Sequence, residues 1–166
     1  MPAPYCMYWV ERGRLAGSCM PRSAEELRGI RESGIRRVVV LPEDHELAEY
    51  WGDARSYFEA LSAYDLEFLH EPVPDMEAPK FNQLVEILRW IRGAPSLVHC
   101  VGGMGRTGTV IASWLVVERG MSAHDALDTV RSLRPGSVQS YSQMKFLLDV
   151  EENADKIRKL VESPSP

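Results

Sequence analysis

Ser96-Leu97-Val98-His99-Cys100-Val101-Gly102-Gly103-Met104-Gly105-Arg106-Thr107-Gly108-Thr109 runs from a short apolar strand, through a loop rich in glycine, into the first turn of an amphipathic helix. A glycine-rich loop that feeds a helix start turns successive backbone N–H groups towards one point, where the helix dipole also favours negative charge. Glycine permits the dihedrals such a cradle needs. Arg106 stands where the dipole disfavours a cation, so an anion is needed to justify it. Its planar fork suits two oxygens of a phosphate. A positive concavity also favours the thiolate form of Cys100, and a thiolate beneath a bound tetrahedral oxyanion is a nucleophile aimed at phosphorus.

Outward from this stretch, strands alternate with helices, which indicates an α/β layered fold. Residues 7–10 and 14–18 read as two short strands about Gly13. Ser23 and Glu26 form a capping box ahead of Leu27 and Ile30, and Gly34 ends that helix. Val38-Val39-Val40-Leu41 is a continuous apolar run of the kind buried on both faces of a parallel sheet. Pro42-Glu43-Asp44-His45 reads as the loop leaving that strand, and binding sites gather at such carboxyl ends. A helix is expected over 53–63, a strand from Leu66 to Pro72, and then a stiff loop, Val73-Pro74-Asp75-Met76-Glu77-Ala78-Pro79. Helical spacing predicts helices over 80–92, 106–119, from the Ser122 cap to about 133, and over 142–161, followed by a frayed tail at 162–166. The expectation is one domain over residues 1–166, its core at about 7–150, with a central, mostly parallel sheet flanked by helices.

Composition narrows the function classes. The 45% hydrophobic and 26% charged residues are those of a water-soluble globular protein, and no apolar run approaches a membrane span. The start of the chain lacks the pattern of a signal peptide, so a cytoplasmic protein is expected. A net charge of −5 argues against nucleic acid or an anionic membrane as partner, and a monomer is expected. The three cysteines have neither zinc spacing nor a disulfide framework. Cys6 and Cys19 are expected to be packing residues, a bridge between them being the lesser alternative.

His99-Cys100, five intervening residues and Arg106-Thr107 resemble the HCxxGxxR[ST] signature of the cysteine-based protein tyrosine and dual-specificity phosphatases, with the signature glycine at Gly103. Tyr8-Trp9-Val10 with Gly13-Arg14-Leu15-Ala16-Gly17, Val73-Pro74-Asp75 and Arg134-Pro135-Gly136-Ser137 look like the small atypical dual-specificity phosphatases and their compact archaeal relatives. The resemblance spans roughly residues 7–150. It implies a protein tyrosine phosphatase-like fold and hydrolysis through a phosphocysteine, with Cys100 as nucleophile and Arg106 as phosphate clamp. Asp75, by itself as good a turn former as an acid, is lifted above Glu77 and Asp65 because the family places its general acid on such a loop. The resemblance also casts His99 as a structural neighbour of the cysteine and Glu43 as the carboxylate that orients the arginine, with Asp44 competing. It makes Gln139 and Gln143 candidates for positioning the second-step water. Thr107 would place a hydroxyl near the sulfur. Val101, Gly102, Gly103, Met104 and Gly105 would bind phosphate through backbone amides.

No metal or other cofactor is called for, since thiolate, arginine and amides already supply nucleophile and charge. The expected partners are phosphorylated proteins, chiefly at phosphotyrosine, with phosphoserine and phosphothreonine open. A loop without lysine weakens a lipid-phosphatase reading, and only four lysines in the chain weaken one directed at RNA 5′ ends. A phosphoprotein-binding module without turnover is the alternative from another class. An intact Cys100, Arg106 and Asp75 stand against it.

Overall fold

The computed structural model describes residues 4–163. Along the chain come β1 (Tyr8–Glu11), β2 (Leu15–Ser18), α1 (Ala24–Glu32), β3 (Arg37–Val40), α2 (Asp44–Trp51), α3 (Ala54–Ala63) and β4 (Glu67–His70). Then follow α4 (Phe81–Gly93), β5 (Ser96–His99), α5 (Gly105–Arg119), α6 (Ala123–Leu133), α7 (Tyr141–Glu152) and α8 (Ala154–Glu162). The strands form one sheet in the order β1-β2-β5-β3-β4, parallel except for β1, which pairs antiparallel with β2.

Strand alternation divides the core. Leu15, Val39 and Val98 point to the face covered by α4 to α8, whereas Ala16, Val38, Val40 and Leu97 meet Leu27, Ile30, Leu47, Tyr57 and Leu61 of α1, α2 and α3. Burial on both faces is what the Val38–Leu41 run demands. The carboxyl ends of β3, β4 and β5 lie side by side, so the segments leaving them, which carry Glu43, Asp75 and Cys100, converge at one edge.

Helix α5 departs from the amphipathic reading. Every residue from Gly105 to Val117 is buried, because the helix is enclosed between the sheet and α6, α7 and α8. Two of its hydroxyls are satisfied inside the helix: Thr109 Oγ1 donates to Gly105 O at 2.7 Å and Ser113 Oγ to Thr109 O at 2.8 Å.

Three expectations change. Residues 44–51, expected to begin as loop, form α2, with Glu43 as its N-cap and the Glu46 carboxylate accepting from the Glu43 N–H at 2.8 Å. The expected single helix over 142–161 is divided at Asn153 into α7 and α8, and α8 continues to Glu162 where fraying was expected; residues 164–166 of that tail lie outside the described residues. Cys6 and Cys19 are paired in a disulfide with a Cα–Cα distance of 5.8 Å. The register explains it: Tyr8 faces Gly17 across the β1–β2 hairpin, so two residues further out Cys6 faces Cys19.

The central strand should be the least forgiving place to remove volume. Leu97→Ala, which empties a fully buried site on β5, is expected to lower the unfolding free energy by about 2–5 kcal/mol, read from urea denaturation; a wild-type midpoint would mean that this face of the sheet is not packed as described.

Candidate active site

Cys100 follows β5 directly and is buried, and a pocket of about 270 Å³ opens over it. Its lining includes Cys100, Val101, Gly102, Met104, Gly105, Arg106, Asp75, Gln139, Glu46 and Glu49. The Gly103 N–H donates to Cys100 Sγ at 3.3 Å. Gly103 lies at φ +77, and a Cβ there would meet the Ser18 and Cys19 backbone at 2.8 Å, so the position excludes any side chain.

The loop is built with its carbonyls tied outward. Cys100 O accepts from His99 Nδ1 at 2.8 Å, Val101 O from Met20 N at 2.9 Å, and Gly102 O from Arg134 Nη2 at 3.0 Å. Gly103 O accepts from Tyr8 Oη at 3.4 Å, and Met104 O from both Gly108 N at 3.0 Å and Val138 N at 3.1 Å. Val138 makes its contact from φ +63, unusual for a β-branched residue, held there by Arg131 Nη2 donating to its carbonyl at 3.0 Å.

Because a carbonyl only accepts, the bond to Cys100 O places the His99 proton on Nδ1, and Nε2 accepts from Tyr57 Oη at 2.8 Å. Complete burial, against the opposing effect of the hydrogen bond to Cys100, lowers the His99 pKa from 6.5 to about 4. His99 is therefore a neutral brace of the cysteine backbone at neutral pH. Burial and the neighbouring Cys100 together raise the pKa of Tyr8, so its hydroxyl keeps the proton it donates.

Arg106 is oriented by a carboxylate, but by Glu46 and not by Glu43. Nη1 donates to Glu46 Oε2 and to Val73 O, and Nη2 to Glu46 Oε1, all at 2.8 Å. The physical reason is α2: Glu43 stands at its N-cap position, and Glu46, one turn into the helix, reaches the guanidinium. Burial opposes ionisation of Glu46, but the Arg106 and Glu43 hydrogen bonds outweigh it and hold the carboxyl below its ordinary range. Three of the five arginine N–H groups are thus engaged, leaving one on Nη2 and that on Nε for a ligand. Glu43, His45 and Glu46 each bring a ligand atom within 4.8 Å of the others, yet both Glu46 oxygens serve Arg106, so this trio is a poor metal site.

Asp75 lies on the pocket rim, largely exposed, with Oδ1 3.6 Å from Arg106 Nη2 and accepting from Met76 N at 3.0 Å. Its loop is fastened to α7. Met76 O accepts from Ser140 Oγ at 2.6 Å and Ser142 Oγ at 3.3 Å, and Glu77 O from Gln143 Nε2 at 3.1 Å. Gln143, fully buried, also accepts the Gln139 and Ser140 N–H groups on Oε1. Its Oε1 and one Nε2 N–H are thus engaged in capping α7 and holding the acid loop, and its second Nε2 N–H is uncommitted among the described residues. Gln139 remains at the pocket wall. Thr107 is buried, its Oγ1 without a partner among the described residues. Glu46, Glu49, Tyr8 and Arg134 are members of the site that sequence reasoning left out of it, Tyr8 and Arg134 lying in motifs to which it gave no role.

The protein-family model described as "PTP-SAK: Swiss Army Knife protein, DSP-PTPase phosphatase domain" matches residues 4–147. The chain is similar to Tyrosine-protein phosphatase cdc-14 of Caenorhabditis elegans, 51% identical over 88 residues, covering 53% of this chain and 12% of that protein. It is 29% identical over 133 residues to Cyclin-dependent kinase inhibitor 3 of Rattus norvegicus, covering 76% of this chain and 60% of that protein. Thus the chain spans from about an eighth to three fifths of the length of these curated relatives. Among solved structures, Tk-PTP in the active form is 40% identical with a TM-score of 0.78, covering 89% of this chain and 97% of that chain. No helix among the described residues is long and apolar enough to cross a membrane.

The neutral His99 has a thermodynamic signature. A group whose pKa is lower folded than unfolded binds fewer protons in the native state, so its contribution is complete above about pH 6.5 and is lost as pH falls towards about 4. The unfolding free energy from urea denaturation should therefore decline over that window, by up to about 1.4 kcal/mol per pH unit. His99→Gln is expected to flatten this slope; an unchanged slope would assign it to other groups.

Proposed function

Because this chain belongs to the DSP-PTPase phosphatase family, we propose that it hydrolyses phosphate monoesters on proteins through a phosphocysteine intermediate, with phosphotyrosine as its main substrate. The observation that carries the reading is the placement of the Cys100 sulfur, receiving the Gly103 N–H at 3.3 Å, in one pocket with Arg106 and Asp75. Inward amides and the two remaining Arg106 N–H groups take the three non-bridging phosphoryl oxygens and stabilise them as the group flattens in transfer. The Cys100 thiolate attacks phosphorus while the bond to the ester oxygen breaks, and the Asp75 carboxylic acid gives that oxygen its proton. In the second step Asp75, now a carboxylate, takes a proton from the water that attacks phosphocysteine. Phosphate leaves and the thiolate returns.

Two features shape the details. The ties from Ser140, Ser142 and Gln143 to the Met76 and Glu77 carbonyls hold the acid loop near its working position. Catalysis then draws on a preset acid more than on a long loop closure. Gln139, at the pocket wall beside Gly105, is the side chain best placed to orient the second-step water. A cytoplasmic, monomeric enzyme acting on phosphorylated proteins without a metal completes the reading.

Hydrolysis of p-nitrophenyl phosphate in excess chelator tests it. Wild-type turnover is expected, with none detectable in Cys100→Ser; a requirement for added divalent metal, or equal activity in both, would overturn the mechanism. For Asp75→Asn, turnover should fall about 10²–10⁴-fold on phenyl phosphate and much less on an ester with a better leaving group. A loss independent of leaving group would assign the acid elsewhere.

A further inference from the structure

Tyr8, in the opening Tyr8-Trp9-Val10 motif, and Arg134, which opens Arg134-Pro135-Gly136, take no part in the chemistry above, yet each touches the phosphate loop. Peptide units are planar and trans, so fixing one carbonyl aims the N–H of the next residue the opposite way. Arg134 Nη2 holds Gly102 O at 3.0 Å, and the N–H of that same peptide unit is Gly103 N, which donates to Cys100 Sγ at 3.3 Å. Tyr8 Oη holds Gly103 O at 3.4 Å, and the N–H of that unit belongs to Met104, which lines the pocket. We propose that Tyr8 and Arg134 are positioning residues with divided roles: Arg134 sets the amide that stabilises the nucleophile, and Tyr8 sets an amide that receives the phosphoryl oxygens.

The surroundings of both side chains fit these roles. Tyr8 lies across Gly17, where a Cβ would come within 2.5 Å of its Cζ and Oη and 2.7 Å of Ile111 Cδ1. Gly17 is thus the notch that admits the ring and fixes the height of its hydroxyl, which accounts for the glycine in Leu15-Ala16-Gly17. Burial keeps that hydroxyl protonated and able to donate. Arg134 is anchored by its own backbone at the end of α6, donating to Val130 O at 2.8 Å and accepting from Ser137 Oγ at 2.6 Å. Among the described residues it has no acidic partner, and its buried Nε is without a hydrogen-bond acceptor. Its fork is directed at the loop.

The inference rests on Cys100 as the nucleophile, so its test reads binding and thiolate formation apart from turnover. Two measurements serve: orthovanadate affinity by titration calorimetry, and the pH midpoint of Cys100 alkylation by iodoacetamide, for which the paired Cys6 and Cys19 do not compete. Tyr8→Phe keeps the ring in its notch and should weaken vanadate about 3–10-fold with the alkylation midpoint unmoved. Gly17→Ala should reproduce this, and the double variant should lose no more than either single one. Arg134→Met should raise the alkylation midpoint by about half to one pH unit. Arg134→Lys, which keeps the charge and loses the fork, should retain most of that shift. Full restoration by lysine would mean that charge alone acts, and would overturn the positioning role of Arg134. Unchanged readouts in both variants, or changes that only follow a lowered Tm, would overturn the proposal. Alkylation shifts as stated in a wild type without turnover would sink the function above and leave the positioning intact.

Discussion

A phosphate cradle made of backbone requires that successive N–H groups face one point, and planar peptides then force the carbonyls to face away. Inside a protein those carbonyls need donors, because an unpaired buried acceptor costs about 1–3 kcal/mol. Around Cys100–Met104 the donors come from His99, the Met20 backbone, Arg134, Tyr8, and the Gly108 and Val138 backbones. Much of the rest of the fold supports this arrangement. The edge hairpin brings Tyr8, the link from β2 to α1 brings Met20, and the end of α6 brings Arg134. The left-handed Val138 is held by Arg131 so that its N–H can reach the loop.

The buried Arg106–Glu46 pair answers a second demand. A guanidinium at a helix start opposes the dipole and, buried, is costly unless paired. Bidentate pairing with Glu46 and a third bond to Val73 O fix its plane while leaving donors for an anion. Val73 O also ties the arginine to the beginning of the acid loop, whose far side is fastened to α7. The thiol, the clamp and the acid are thereby referred to one rigid frame.

What the sequence disclosed followed from how local each relationship is. The strand, glycine loop and Cys100–Arg106 spacing are contiguous and were readable directly, as was the buried character of Val38–Leu41. Asp75 was singled out by the family resemblance, since a loop leaving a strand end is by itself equally compatible with a plain turn. Glu43 was placed in the role that Glu46 occupies because residues 42–45 read as loop; once Glu43 becomes an N-cap, the carboxylate facing Arg106 moves one turn along. Gln143 was a candidate for positioning water, and its place three residues after Ser140 also makes it the return half of a capping box. The Cys6–Cys19 pair depends on hairpin register, which cysteine spacing alone does not reveal. Tyr8 and Arg134 lie 95 and 32 residues from the carbonyls they hold, and no periodicity reports such a contact.

The disulfide acquires a meaning from where it stands. An edge strand, paired on one side only, opens locally at a free energy below that of global unfolding, and β1 is such a strand. Cys6 and Cys19 close the open end of its hairpin two residues from Tyr8, and Met20, next to Cys19, carries the N–H that holds Val101 O. The covalent link therefore restrains opening at the margin of the sheet that carries Tyr8 and leads to Met20, and couples the integrity of that margin to the shape of the anion cradle.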